Sequence, residues 1–302
     1  MGSTVAFGLG ALASCSSDEA WRGTSIDADP AGTADTGAVG EIALGRPDEV
    51  QAVLPASTLL VLGDGKVLRL ASTPDVVELV DRGAAAWSVG GVGTEPGKFN
   101  GVSGAAVGPD GSFWIVDSGN RRIQVLSATG EPTRVVGAPS AGSTPLLRPI
   151  AVAVSADGQA FVADAGRSAV VPFGADGTPG EVIGAAGSEH SFFGITGLQA
   201  VDDELVVAEA LAPRVQVYTL SGRWLRSIEL PEHFTTADIV VSDDDVYLVS
   251  RDGRLVRTKL DGSTTGSEIE RLGRIGAHAS GLHLAPGGVI VAARPMPSEL
   301  VQ

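Results

Sequence analysis

The chain has 302 residues, and 36 Asp and Glu against 21 Lys and Arg give it a net charge of −15. A phosphate backbone is bound through a Lys/Arg footprint that displaces counterions, and this acidic balance excludes nucleic acid as a partner. With Gly at 41 and Pro at 17 positions, and no sustained apolar period near 3.6, the chain also excludes a fold of long helices.

In chain order, residues 4–14 form an apolar, small-residue stretch that ends at Cys15, the sole cysteine. An apolar core followed by small residues is the pattern of an export signal, although no Lys or Arg precedes this one. Residues 16–37 are rich in Ser, Asp, Ala, Gly and Thr with almost no large apolar side chains, a composition that cannot build a core and suits a flexible tether. The expected organisation is a signal over 1–14, a cysteine and tether over 15–37, and one folded domain over 38–302.

From there the sequence repeats itself. Residues 99–137 hold four short apolar runs, 104–107, 113–116, 122–126 and 134–136, separated by Gly, Asp and Asn turn signals. Short β-branched or apolar runs bounded by turn residues read as strands. The landmark is the Asp110-Gly111 turn after the first run, suited to the positive φ angles of a tight hairpin. It returns as Asp157-Gly158, and more loosely as Asp202-Asp203, Asp243-Asp244-Asp245 and Pro286-Gly287-Gly288. The intervals are about 47, 45, 42 and 43 residues, close to the repeat lengths of propeller blades. The carboxylate clusters fall in hairpin turns without the alternating spacing of a calcium loop, and read as solvated turn residues.

Four strands per repeat make a propeller blade. Upstream, 50–54, 59–62, 67–70 and 76–80 form a fainter first blade. Five full blades begin near Glu49, Phe99, Leu147, Phe193 and Ala237, and a sixth begins at Ser280. The expected fold is all-β, a six-bladed β-propeller with four-stranded blades, five or seven blades being the alternatives. Its ring closes when an N-terminal strand, 38–44, pairs with the C-terminal strands, removing the open edges of an unclosed sheet.

The segment Phe113-Trp114-Ile115-Val116-Asp117-Ser118-Gly119-Asn120-Arg121-Arg122-Ile123-Gln124-Val125 resembles the NHL repeat, whose second and third strands join through a D-x-G-N-x-R-I turn. Weaker copies stand at 161–167, 208–217 and 250–254. Asp117 and Asn120 read as turn scaffolding, since their side chains satisfy backbone N–H groups of a tight turn. Arg122 and Arg214 are expected along the blade surface with buried stems and solvated heads, and Trp114 and Trp224 as packing between blades. At the N-terminus, Leu12-Ala13-Ser14-Cys15 resembles a bacterial lipobox. That likeness implies cleavage before Cys15, its lipidation, and a place outside the cytoplasm, anchored to the bacterial cell envelope through Cys15 alone.

Loops on a rigid scaffold carry function, and the mouth of a propeller channel is where such loops converge. Trp87, in the connection 83–98, and Asp238, at the start of an inner strand, are the candidate ligand contacts. His190, His233 and His278 fall in the loops leading into three successive blades, and three imidazoles with an open position can hold zinc. The resemblance adds that some NHL-like propellers, streptogramin lyase among them, are metal-dependent lyases, and that related gluconolactonase-like propellers are hydrolases. The first expectation is a monomeric binding propeller for an envelope protein, peptide or glycan, with no cofactor and no catalysis. The alternative is a metal-dependent lyase or lactone hydrolase, with zinc or calcium at the channel mouth. No G-x-S-x-G, H-E-x-x-H or phosphate-binding loop is present.

Overall fold

The computed structural model describes residues 50–55, 58–62, 66–72, 75–81, 84–138, 145–264, 268–274, 277–285 and 288–295. Cys15, the tether and 38–44 lie outside them. Twenty-two strands form six sheets, and the described residues contain no α-helix.

The first sheet joins β2 (Thr58–Val61), β3 (Val67–Ser72), β4 (Asp75–Asp81) and β5 (Ala84–Gly90). The second joins β6 (Val102–Val107), β7 (Phe113–Asp117), β8 (Arg122–Leu126) and β9 (Pro132–Val136). In the third, β10 (Pro149–Val154), β11 (Ala160–Asp164) and β12 (Ala169–Phe173) are followed only by the isolated bridges Val170 to Ile183 and Phe173 to Pro179. Pro179 and Gly180 sit where a fourth strand would run, and neither sustains a ladder. The fourth sheet holds β13 (Ile195–Val201), β14 (Glu204–Glu209), β15 (Arg214–Thr219) and β16 (Trp224–Glu229). The fifth holds β17 (Thr236–Ser242), β18 (Asp245–Ser250), β19 (Arg254–Lys259) and β20 (Glu270–Arg274).

The sixth sheet draws on both ends of the chain. β21 (Ala277–Ala285) and β22 (Gly288–Pro295) form a hairpin, and β1 (Val50–Pro55) pairs with β22 in parallel. This corrects the reading of 50–54 as the inner strand of the first blade, which starts instead at β2. The principle of closure stands, but β1 supplies it within the described residues. The first strands β2, β6, β10, β13, β17 and β21 contact one another in that cyclic order, an arrangement that fits six blades around one channel.

The core lies between blades rather than inside one. Side chains of β7, β11 and β12 are buried on both faces, which explains why these strands read as apolar runs instead of alternating ones; β8 is equally buried but carries the polar Arg122 and Gln124. Val116, Ile123 and Val125 of the second blade pack on Val152, Val162 and Val171 of the third. Val206, Val217 and Ile228 of the fourth pack on Ile239, Val246 and Leu248 of the fifth. Each such side chain contributes roughly 1.5–3 kcal/mol on burial.

The turns follow the Asp-Gly landmarks. Gly111, Gly158, Gly177 and Gly262 have φ of 78°, 86°, 87° and 76°. Asp110 accepts from the Ser112 amide at 3.0 Å and hydroxyl at 2.6 Å, holding its carboxyl below the usual range. Where glycine is missing, Asp202 and Asp243 adopt φ of 49° and 50° themselves, as short polar side chains can. The faded landmarks at 202–203 and 243–245 are therefore true copies of the turn, while Pro286-Gly287 lies outside the described residues.

Candidate functional site

The connections between blades and the turns between second and third strands share one end of the fold, because every first strand starts there and every second strand ends there. The NHL signature occupies this loop face, and its polar groups point inward. Asp117 is fully buried; its carboxylate accepts from Arg122 Nε at 2.7 Å, the Asn100 amide at 2.7 Å and Asn120 Nδ2 at 3.0 Å. Arg122 then donates to the carbonyls of Thr94 at 2.5 Å and Lys98 at 2.8 Å. Gln124 accepts from the Gly97 amide and donates to Lys98 O at 2.6 Å. The Arg122 side chain is only 9% exposed, so the expected solvated head is corrected: the guanidinium is spent on the loop that joins the first two blades.

The same device recurs in the fourth blade. Arg214 Nε lies 2.7 Å from Glu209 and Gln216 Nε2 lies 3.0 Å from it, while both reach the carbonyl of Ser191 in the preceding connection. In the fifth, Arg254 joins Asp252 at 3.0 Å and the carbonyl of His233 at 2.5 Å. In these three blades the side chains thus fasten the interblade connection to the blade it enters. The paired Arg-x-Gln at 122–124 and 214–216 was the sequence signal for this, and the glutamines were missed.

The histidine positions differ from one another. The His190 ring stacks on Trp224 of the outer strand β16, with centroids 4.1 Å apart and planes at 3°; its carbonyl accepts from the Tyr218 hydroxyl at 2.7 Å. Burial and the Glu209 charge raise the Tyr218 phenol, keeping it protonated as a donor. His233 is exposed, with a φ of 60°. His278 pairs with Arg294 through the backbone, and its side chain lies outside the described ones. Among the described residues no three His, Cys, Asp or Glu side chains are grouped to hold a metal ion.

Trp87 belongs to the outer strand β5, which corrects its placement in a connection. It is half-buried against the second blade, with Nε1 donating to Ala128 O at 3.0 Å and its ring edge-on to Phe113 at 5.5 Å. Gly130 lies under this indole with a φ of 83°, and a Cβ there would come within 2.6 Å of it. Gly130→Ala is expected to lower stability by about 1–3 kcal/mol through left-handed strain and the displaced indole, read as a shifted urea midpoint. Trp114 is buried under Arg134, as expected of a packing residue.

Asp238 lies in the wall of the central channel, a cavity of about 660 Å³ lined mainly by small and aliphatic residues of β6, β10, β13 and β17. A bulge follows the first residue of each of these four strands, and one in β21 falls between Ala279 and Gly281, making Gly104, Ala151, Gly197, Asp238 and Gly281 equivalent. At this position the side chain faces the next inner strand: a Cβ on Gly197 would stand 2.5 Å from Asp238 Oδ1. Asp238 reaches across in the same direction, accepting from Leu282 N of β21 at 3.0 Å and from Ile239 N at 2.8 Å. Burial dominates over these two bonds and pushes its carboxyl up to about 7. The one carboxylate in a ring of small residues is a tie between the fifth and sixth blades that also faces the channel.

The loop face has a second property. Of the described large apolar residues left exposed, Val92, Leu147 and Phe193 lie in its connections and Leu211 in the turn between β14 and β15, with Leu211 80% and Val92 76% exposed. Only Val135, on the outer strand β9, lies elsewhere. Phe193 and Leu211 are tied by a backbone bond of 3.0 Å, and Arg214 lies over the Phe193 ring.

Residues 99–126 match the family model described as NHL repeat. The chain is a β-propeller that carries an NHL repeat. No curated protein matches it by sequence. Among solved structures, the propeller is similar to a streptogramin B lyase at 16% identity, with 78% of this chain and 75% of that one covered and a TM-score of 0.59. It is also similar to virginiamycin B lyase from Staphylococcus aureus, at 17% identity, 81% and 80% coverage and a TM-score of 0.60. A catalytically inactive form of that enzyme with quinupristin gives 17% identity, 74% and 72% coverage and a TM-score of 0.57. At these identities the likeness is one of fold.

Proposed function

We propose that this propeller binds a protein or peptide on its loop face and performs no chemistry there, and that it does so outside the cytoplasm, anchored through a lipid on Cys15. The supporting observation is the collection of Val92, Leu147, Phe193 and Leu211 on one end of the fold. Exposed apolar side chains scattered singly carry no meaning, whereas a set gathered on one face marks an interaction surface. Their backbone positions are fixed by the Asp117, Asp164 and Glu209 networks, so an incoming chain meets a preformed surface at little ordering cost.

The conversion of Asp117, Arg122 and Gln124 into fasteners supports the binding reading over catalysis, because the strongest motif in the chain is consumed by the scaffold. The likeness to streptogramin B lyases favours the other reading, a lyase at the channel mouth. It would need His190 to leave Trp224 and join His233 and His278. Screening the purified domain against arrayed extended peptides tests the proposal. Binding to a discrete set, weakened at least tenfold in Leu211→Asp and unchanged in Val135→Asp, is the expected result. Equal loss in both variants would remove the loop face as the site.

A further inference from the structure

Between the fourth and fifth blades a cavity of about 580 Å³ opens on the loop face, lined by Leu230, Phe234 and Leu255 with Glu232, Arg254 and Arg271. Its floor is apolar, formed by the edges of Leu230, Phe234 and Leu255, which are 5%, 2% and 3% exposed. The cavity exists because β20 is bulged where Leu255 pairs with Gly273 and Val256 with Arg271. A bulge bends the strand and re-aims its side chains, and here residues 271 and 273 both border the opening.

The two cations differ. Arg254 is committed to Asp252, to the carbonyl of His233 and to the Phe234 ring at 5.3 Å. Arg271 is exposed, and its side chain has no hydrogen-bond or ion-pair partner among the described residues. In a chain where acids outnumber bases 36 to 21, an unpaired guanidinium beside an apolar floor is the exception. We infer that this groove is a binding site for an apolar carboxylate, with the hydrocarbon on Phe234 and Leu255 and the carboxylate on Arg271. A guanidinium meets a carboxylate with two parallel N–H bonds, which fix its orientation as well as its charge. Glu232 at the rim opposes the same charge, so its removal tightens binding. Both a free acid and a peptide ending in a large apolar residue present this chemistry. The site shares no lining residue with the exposed set Val92, Leu147, Phe193 and Leu211, and its failure leaves that surface untouched.

The test is calorimetric titration of the purified domain with 3-phenylpropionate, 3-phenylpropanamide, and the peptide Ala-Ala-Phe as free acid and as C-terminal amide. Each acid is expected to bind about tenfold more tightly than its amide, the loss of one charge-assisted contact. Arg271→Gln removes that preference with the melting temperature unchanged, since the side chain has no partner to lose, and Glu232→Gln tightens the acids. A peptide acid that outbinds 3-phenylpropionate identifies a chain terminus as the occupant, and equal affinities identify a small acid. Acids and amides binding alike, or an Arg271→Gln variant that keeps the preference, would overturn the assignment.

Discussion

Replacing Asp117 by alanine is expected to lower the free energy of unfolding by about 3–5 kcal/mol, because it leaves the guanidinium of Arg122 buried without its counter-charge. The Asp117 side chain is 0% exposed and that of Arg122 9%, so water cannot replace the lost partner. The Asn100 amide loses its acceptor in the same step. A surface pair makes the contrast. Lys259 and Asp245 have side chains 48% and 25% exposed, and solvent screens such a pair so well that Lys259→Ala is expected to leave the unfolding midpoint almost where it was. Urea unfolding of both variants beside the parent separates the two cases by several-fold in midpoint shift. A loss at Asp117 as small as that at Lys259 would mean that the signature residues do not fasten the blades.

The second large effect is a pH dependence set by Asp238. Its carboxyl lies near pH 7 in the folded protein against 3.8 in the reference state, so the folded state holds a proton that the unfolded state has released. Stability is therefore fully present below about pH 4, falls as pH rises through the interval from 4 to 7, and is flat above it. The fall is on the order of 2–4 kcal/mol, taking one unit as 1.36 kcal/mol and allowing for the side of the group that faces the channel. The turn carboxylates Asp110, Asp157, Asp176 and Asp261 are shifted the other way, below their usual range. Their contribution is lost only in more acid solution and leaves this interval to Asp238. In Asp238→Asn the slope between pH 4 and 7 is expected to flatten, while overall stability drops by about 1–3 kcal/mol because Ile239 N and Leu282 N donate to different carboxyl oxygens, one of which becomes an NH2 group. An unchanged slope in the variant would assign the pH dependence elsewhere.

The blade period was legible because the Asp-Gly hairpin imposes a backbone conformation that few residues tolerate, and the degenerate copies at 202–203 and 243–245 kept an aspartate at positive φ. Strand identity in the middle of the chain was equally plain, since burial on both faces leaves unbroken apolar runs such as 113–116 and 205–208. What failed was pairing. Val50 to Leu54 looks the same whether it begins the first blade or lies parallel to β22, because the decision rests on a partner more than two hundred residues away. β5 was missed since Ala84, Ala85 and Ala86 carry little strand preference of their own, and its outer position is fixed by β4. Arg122 was placed in solvent by a rule for lone cations. The carbonyls of Thr94 and Lys98 that receive it come from a loop whose course no local pattern encodes. For the same reason the candidate surface was only half visible: Phe193 and Leu211 are ordinary apolar residues until the turns bring them to one face.

A hydrogen-exchange footprint with the tightest arrayed peptide measures directly whether a partner sits on the loop face. Slowed exchange is expected in the connections 91–101, 145–149 and 190–194 and in the turn 210–213, with the opposite turns at 108–112, 155–159 and 219–223 unaffected. Protection confined to those opposite turns would contradict it.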